Sequence, residues 1–113
     1  MQMEVIATGT NAQRVVLSGR LDTRTVDTLE ARFAAVVAAS DHRTLVDLSA
    51  VEFIASMGIR MLVSSARAAA GKKAKFALYG ASGPVKEVFD VASLSRIILM
   101  AEDEAGALAL LQG

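Results

Sequence analysis

The chain has 113 residues, 53% of them hydrophobic and 21% charged, which suits one ordered α/β or similar globular domain and excludes a disordered polymer. Twelve basic and twelve acidic residues cancel, so no broad field marks nucleic acid or an anionic membrane as a partner. Cysteine is absent, which removes disulfides, thiolate metal sites and a Cys nucleophile together.

In chain order, Met3 to Ala7 and Arg14 to Ser18 are short β-like runs separated by Gly9-Thr10-Asn11, a turn-favouring triplet, and are expected to pair as a hairpin. After Gly19-Arg20-Leu21-Asp22 the period changes. Val26, Leu29, Phe33, Val36 and Val37 recur three and four apart, the mark of an amphipathic helix. Asp22, Thr23 or Thr25 can cap it, because each carries a short side-chain oxygen able to accept from a first-turn amide. Asp41-His42-Arg43 is a polar connection into a short strand, Thr44-Leu45-Val46-Asp47-Leu48. A second helix is expected from about Met57 to Ala70, with Ile59, Leu62, Val63, Ala66 and Ala70 on its buried stripe and Gly71 as its stop.

Lys75 to Tyr79 reads as a strand, preceded by a solvated turn carrying Lys72 and Lys73. Pro84 suits a first helical position, with Val85, Val88 and Phe89 on the inner side of a short helix. Ile97-Ile98-Leu99-Met100 is expected to form the last strand. Glu102, Asp103 and Glu104 then place negative charge at the start of a closing helix carrying Ala105, Leu108 and Leu111. Strands joined through helices favour parallel pairing. The expected fold is therefore one α/β domain over residues 1–113, its sheet mostly parallel, with an antiparallel hairpin near the start.

Catalytic equipment is sparse. His42 is the only histidine and falls in the polar connection; the carboxylates are scattered or serve the closing helix. Gly80-Ala81-Ser82-Gly83 follows a strand and precedes a helix, where a phosphate-cradling loop belongs, but it lacks the Gly spacing and the Lys-Ser/Thr pair of a P-loop. Neither an enzyme nor a bound cofactor or metal is expected. With no basic stretch leading into an apolar run, and no apolar stretch near the roughly 18 residues that span a bilayer, the expected location is the cytoplasm, without membrane insertion.

One hydroxyl remains. Ser56 lies where the apolar segment Val51-Glu52-Phe53-Ile54 hands over to the second helix, either as an ordinary cap or as a phosphorylation point. Met57, Met61 and Ser64 follow it at helical spacing, with Arg60 beside them, on a different stripe from Ile59 and Leu62. They form either an adaptable docking surface or packing beneath a neighbouring loop.

Leu45-Val46-Asp47-Leu48-Ser49 followed by Val51, Phe53, Ile54, Ser56, Gly58, Ile59 and Leu62 resembles the central signature of the STAS domain family, the bacterial anti-sigma factor antagonists. Gly19-Arg20-Leu21-Asp22, Pro84-Val85 with Phe89, and Ser93-Leu94 keep register with it, so the resemblance covers nearly the whole chain. It implies a STAS-like fold and a switch protein whose unmodified form binds an anti-sigma factor that is also a serine kinase, freeing a sigma factor. Phosphorylation of the hydroxyl two residues before the Gly, here Ser56 before Gly58, abolishes binding, and a serine phosphatase resets the switch. Asp22, Ser56, Met57, Gly58, Arg60, Met61 and Ser64 are the expected partner surface, Asp22 serving either there or as a cap. Phosphorylated members usually carry Asp before the target hydroxyl, and here that residue is Ala55. The resemblance also admits a constitutive STAS subunit of an ABC-type lipid transport complex, with Ser56 only a cap.

Overall fold

Val15 and Leu17 turn to one side of their strand, and Val46, Leu48, Phe76 and Leu78 turn to the same side of the two strands beyond it. A computed structural model, describing residues 2–7, 12–39 and 43–111, joins them in a five-stranded sheet of order β1-β2-β3-β4-β5. The strands are β1 (Gln2–Ala7), β2 (Ala12–Leu21), β3 (Arg43–Ile54), β4 (Lys75–Tyr79) and β5 (Leu99–Ala101). β1 runs antiparallel to β2, and the other pairs are parallel, as the order of strands and helices implied. The Gly9-Thr10-Asn11 turn and His42 lie outside the described residues.

Three helices cover the Val15 face: α1 (Thr23–Ala39), α2 (Ser56–Gly71) and α3 (Gly83–Val91). Phe33 and Val37 of α1, Met61 and Leu62 of α2, and Val85 and Phe89 of α3 share one core with the strands. The reverse face is closed by α4 (Glu104–Leu111), whose Ala107 and Leu111 cover Leu45, Ala77 and Tyr79. Each well-buried Leu or Phe contributes about 1.5–3 kcal/mol. The larger core therefore fixes α2, and with it the start of that helix.

The strands differ from the sequence expectation most at β3 and β5. β3 is 12 residues long, where a five-residue strand was expected. Its core-facing residues Val46, Leu48, Val51 and Ile54 are spaced two, then three, then three apart, because two register shifts against β2 each insert an extra β3 residue. Gly19, at φ 102°, stands at one of these shifts, where a residue with a Cβ is strained. The last strand starts later than expected, since Leu94–Arg96 forms a 3-10 turn and pairing with β4 begins at Leu99. In the turn before β4, Lys72 donates to the Ala38 carbonyl, tying the end of α2 to α1.

Candidate functional site

Leu21 and Ile54, the last residues of β2 and β3, pair in register, and the Ala55 amide donates to the Leu21 carbonyl at 2.9 Å. Asp22 and Ser56 consequently leave the sheet at the same end, each opening a helix on the same face. Gly58 sets how near α2 comes. A Cβ there would lie 2.8 Å from Ile54 Cγ1 and 3.1 Å from both Cβ and the carbonyl oxygen of Leu21. Only glycine lets the first turn of α2 seat this closely on the strand ends.

Asp22 is the cap of α1. Its Oδ1 accepts from the Thr25 amide at 3.0 Å, while the Asp22 amide donates to Thr25 Oγ1 at 3.1 Å, a reciprocal capping box. The Thr25 amide, opposed in part by desolvation, holds the Asp22 carboxyl below its ordinary range, with Arg20 and Arg24 contributing attraction. Arg20 stacks its guanidinium 4.3 Å from the centre of the Phe53 ring. Sequence reading gave no role to this pair, which lies across the two strands in register.

α2 is capped differently. Its N-cap residue is Ala55, extended at φ −102° and ψ 173°, with no side-chain hydrogen bond to the helix. Ser56 is therefore the first helical residue and not the cap, a correction to the cap reading. The Gly58 and Ile59 amides bond the Ala55 carbonyl at 2.9 and 3.2 Å, while those of Ser56 and Met57 have no side-chain acceptor. The Ser56 side chain is exposed, and its hydroxyl is unpartnered among the described residues.

The expected docking stripe divides. Arg60 and Ser64 lie along one flank of α2 with Met57, lining the groove toward α1. Met61 is 1% exposed, however, and Gly58 is buried. Both were expected on the partner surface. They are buried because α2 packs against α1 on the Met61 side and against the strand ends at Gly58. On the other flank, Ser56 borders a shallow cavity of about 450 Å³ formed with Ile59 and with Glu87, Val88, Val91 and Ala92 of α3. Val91 is 89% exposed. This apolar shelf eluded sequence reading, since it needs two helices brought together.

On the reverse face, Arg14 lies 3.4 Å from Glu104, and its guanidinium approaches Tyr79 without reaching good hydrogen-bond geometry. Burial pushes the Tyr79 phenol up to about 12. Among the described residues no cluster of three or more metal-ligating side chains forms, and no helix is long and apolar enough to cross a membrane.

A family model described as "Mlab, STAS domain" matches residues 5–101. The fold is similar to that of an anti-sigma factor antagonist from Mycobacterium paratuberculosis, with TM-score 0.86 and 23% identity over 99% of this chain and 94% of that one. An anti-sigma-factor antagonist (STAS) domain protein from Planctomyces limnophilus gives 0.82 and 22% over 96% and 97%. The Bacillus cell fate determinant SpoIIAA, in its phosphorylated form, gives 0.70 and 16% over 98% and 100%. No curated protein matches the chain.

Proposed function

The chain belongs to the STAS domain family, and we propose that within it this protein is a phosphorylation-controlled antagonist of an anti-sigma factor that is also a serine kinase. The unmodified form binds the kinase and releases a sigma factor; phosphate on Ser56 ends binding, and a serine phosphatase restores it. The protein is read as a cytoplasmic regulator of transcription with no catalysis or cofactor of its own. One observation carries the reading: an accessible, unpartnered serine hydroxyl at the first position of a helix whose leading amides lack a side-chain acceptor. Structural neighbours that include a phosphorylated SpoIIAA and a serine-to-glutamate variant of RsbS from Moorella thermoacetica lend it support.

The physics of such a switch is local. A phosphate brings about −1.5 to −2 charges, and a helix N-terminus tolerates that charge because its free amides and dipole face it. The domain keeps its fold. A partner seated over Ser56 between Met57, Arg60 and Ser64 on one flank and Ile59, Val88 and Val91 on the other must instead bury an unmatched dianion. Each loss of about 1.4 kcal/mol weakens that complex tenfold.

A second reading, a constitutive accessory subunit of an ABC-type lipid transport complex, is favoured by Ala55, which leaves Ser56 without an acidic neighbour. Binding experiments separate the two. With an anti-sigma factor kinase, the wild type and Ser56→Ala bind while Ser56→Asp does not; binding of a transporter ATPase unaffected by Ser56→Asp supports the second reading and overturns the first.

A further inference from the structure

Between α1 and α2 lies a cavity of about 460 Å³, a size typical of small-molecule sites. Its floor is Met61, 1% exposed, and Val37, 3% exposed. Ser65 also lines it and is 5% exposed, yet its hydroxyl has no hydrogen-bond partner among the described residues. Helical serines commonly bond back to the carbonyl four residues earlier. Here no described hydrogen bond makes that return and the hydroxyl keeps access to the cavity, so a polar atom entering it meets a donor and acceptor.

The lining is sorted by polarity along the cavity. α1 and α2 each join parallel strands and run in the same direction. Arg60 lies in the second turn of α2 and Glu30 midway along α1, and neither forms an ion pair with a described residue. Farther along stand Ala34, Val37 and Ala68, which are small and apolar. Along the shared helix direction the cavity thus offers Arg60 and then Glu30, next the Ser65 hydroxyl, and beyond it an open apolar trough at Ala34, Val37 and Ala68.

We propose that this cavity binds a free, single-chain zwitterionic amphiphile. The alkyl chain lies along Ala34, Val37 and Ala68, a linker oxygen meets the Ser65 hydroxyl, and the negative and positive groups of the head face Arg60 and Glu30. The site stands whether or not Ser56 is phosphorylated.

The test uses the full chain carrying carbon-13 methionine methyls, titrated with decylphosphocholine below its micelle concentration. Met57 and Met61 line the cavity; Met3 and Met100 do not. Saturable shifts at Met57 and Met61, with Met3 and Met100 unmoved, are expected. Decanoate and decyltrimethylammonium each bind at least about threefold more weakly, having one charge instead of two. Ser65→Ala weakens decylphosphocholine about threefold to tenfold. Ala34→Leu with Ala68→Leu, both at exposed helical positions that leucine suits, fills the trough and abolishes binding. The proposal is overturned by absence of a saturable shift, by shifts led by Met3 or Met100, by equal affinity for the three amphiphiles, by an unaltered Ser65→Ala, or by retention of the protein on phosphatidylcholine vesicles without binding of the monomer.

Discussion

Replacing Gly58 by alanine and Gly71 by alanine makes the same chemical change at the two ends of α2, and the structure gives the two opposite signs. At Gly71 a Cβ meets nothing within 4 Å. The substitution there gains the helix preference of alanine, about 0.5–1 kcal/mol. At Gly58 the same gain is opposed by a Cβ 2.8 Å from Ile54 Cγ1 and 3.1 Å from the Leu21 carbonyl. The Ile54 side chain has little room, being 3% exposed, and the Leu21 carbonyl is held by the Ala55 amide. Overpacking of this kind costs about 1–3 kcal/mol, leaving a net loss of about 1–2 kcal/mol. In a domain of this size that lowers Tm by about 5–10 °C, while Gly71→Ala raises it by a few degrees. Thermal and urea unfolding followed by circular dichroism measure both. If Gly58→Ala is as stable as wild type, the close seating of α2 on the strand ends is wrong, and so is the placement of Ser56 that depends on it.

Other outcomes follow from the same site and from the reverse face. Ala55→Asp supplies the missing acceptor at the start of α2 and stabilises the protein by about 0.5–2 kcal/mol in urea unfolding. Because the Asp22 pKa is lowered on folding, its contribution is full above the ordinary carboxylate range and is lost as pH falls through the folded value; Asp22→Asn flattens the acid limb of stability against pH. Tyr79 is shifted the other way, so its contribution holds below pH 10 and is lost as pH rises toward about 12. Tyr79→Phe removes that alkaline loss and, since the hydroxyl lacks a partner, costs nothing at pH 7 or gains up to about 1 kcal/mol.

Periodicity made the order of strands and helices legible, because most elements bury one regular face. β3 escaped it for the reason that its bulges break the alternation: Val51 and Ile54 follow Leu48 at spacings of three, which match no strand template. Helix α2 escaped in a different way. It lies between α1 and α3, so its buried arc reaches Met61, Ser65 and Ala69 on one side and partly takes in Ile59 and Val63 on the other. The expected stripe caught Leu62 but put Met61 outside. Ser56 was found by position, yet whether it or Ala55 caps the helix turned on a single residue of boundary, which backbone geometry alone decides. Asp22 was one of three possible caps, and the reciprocal bond with Thr25 selects it.

The central claim is that Ser56 is the switch. Incubation with an anti-sigma factor serine kinase and ATP, followed by intact-mass measurement and fragment sequencing, tests it most directly. The account requires one added phosphate, on Ser56, absent from Ser56→Ala and accompanied by release of the kinase. No added mass from a kinase that binds the chain, or phosphate on another residue, contradicts it.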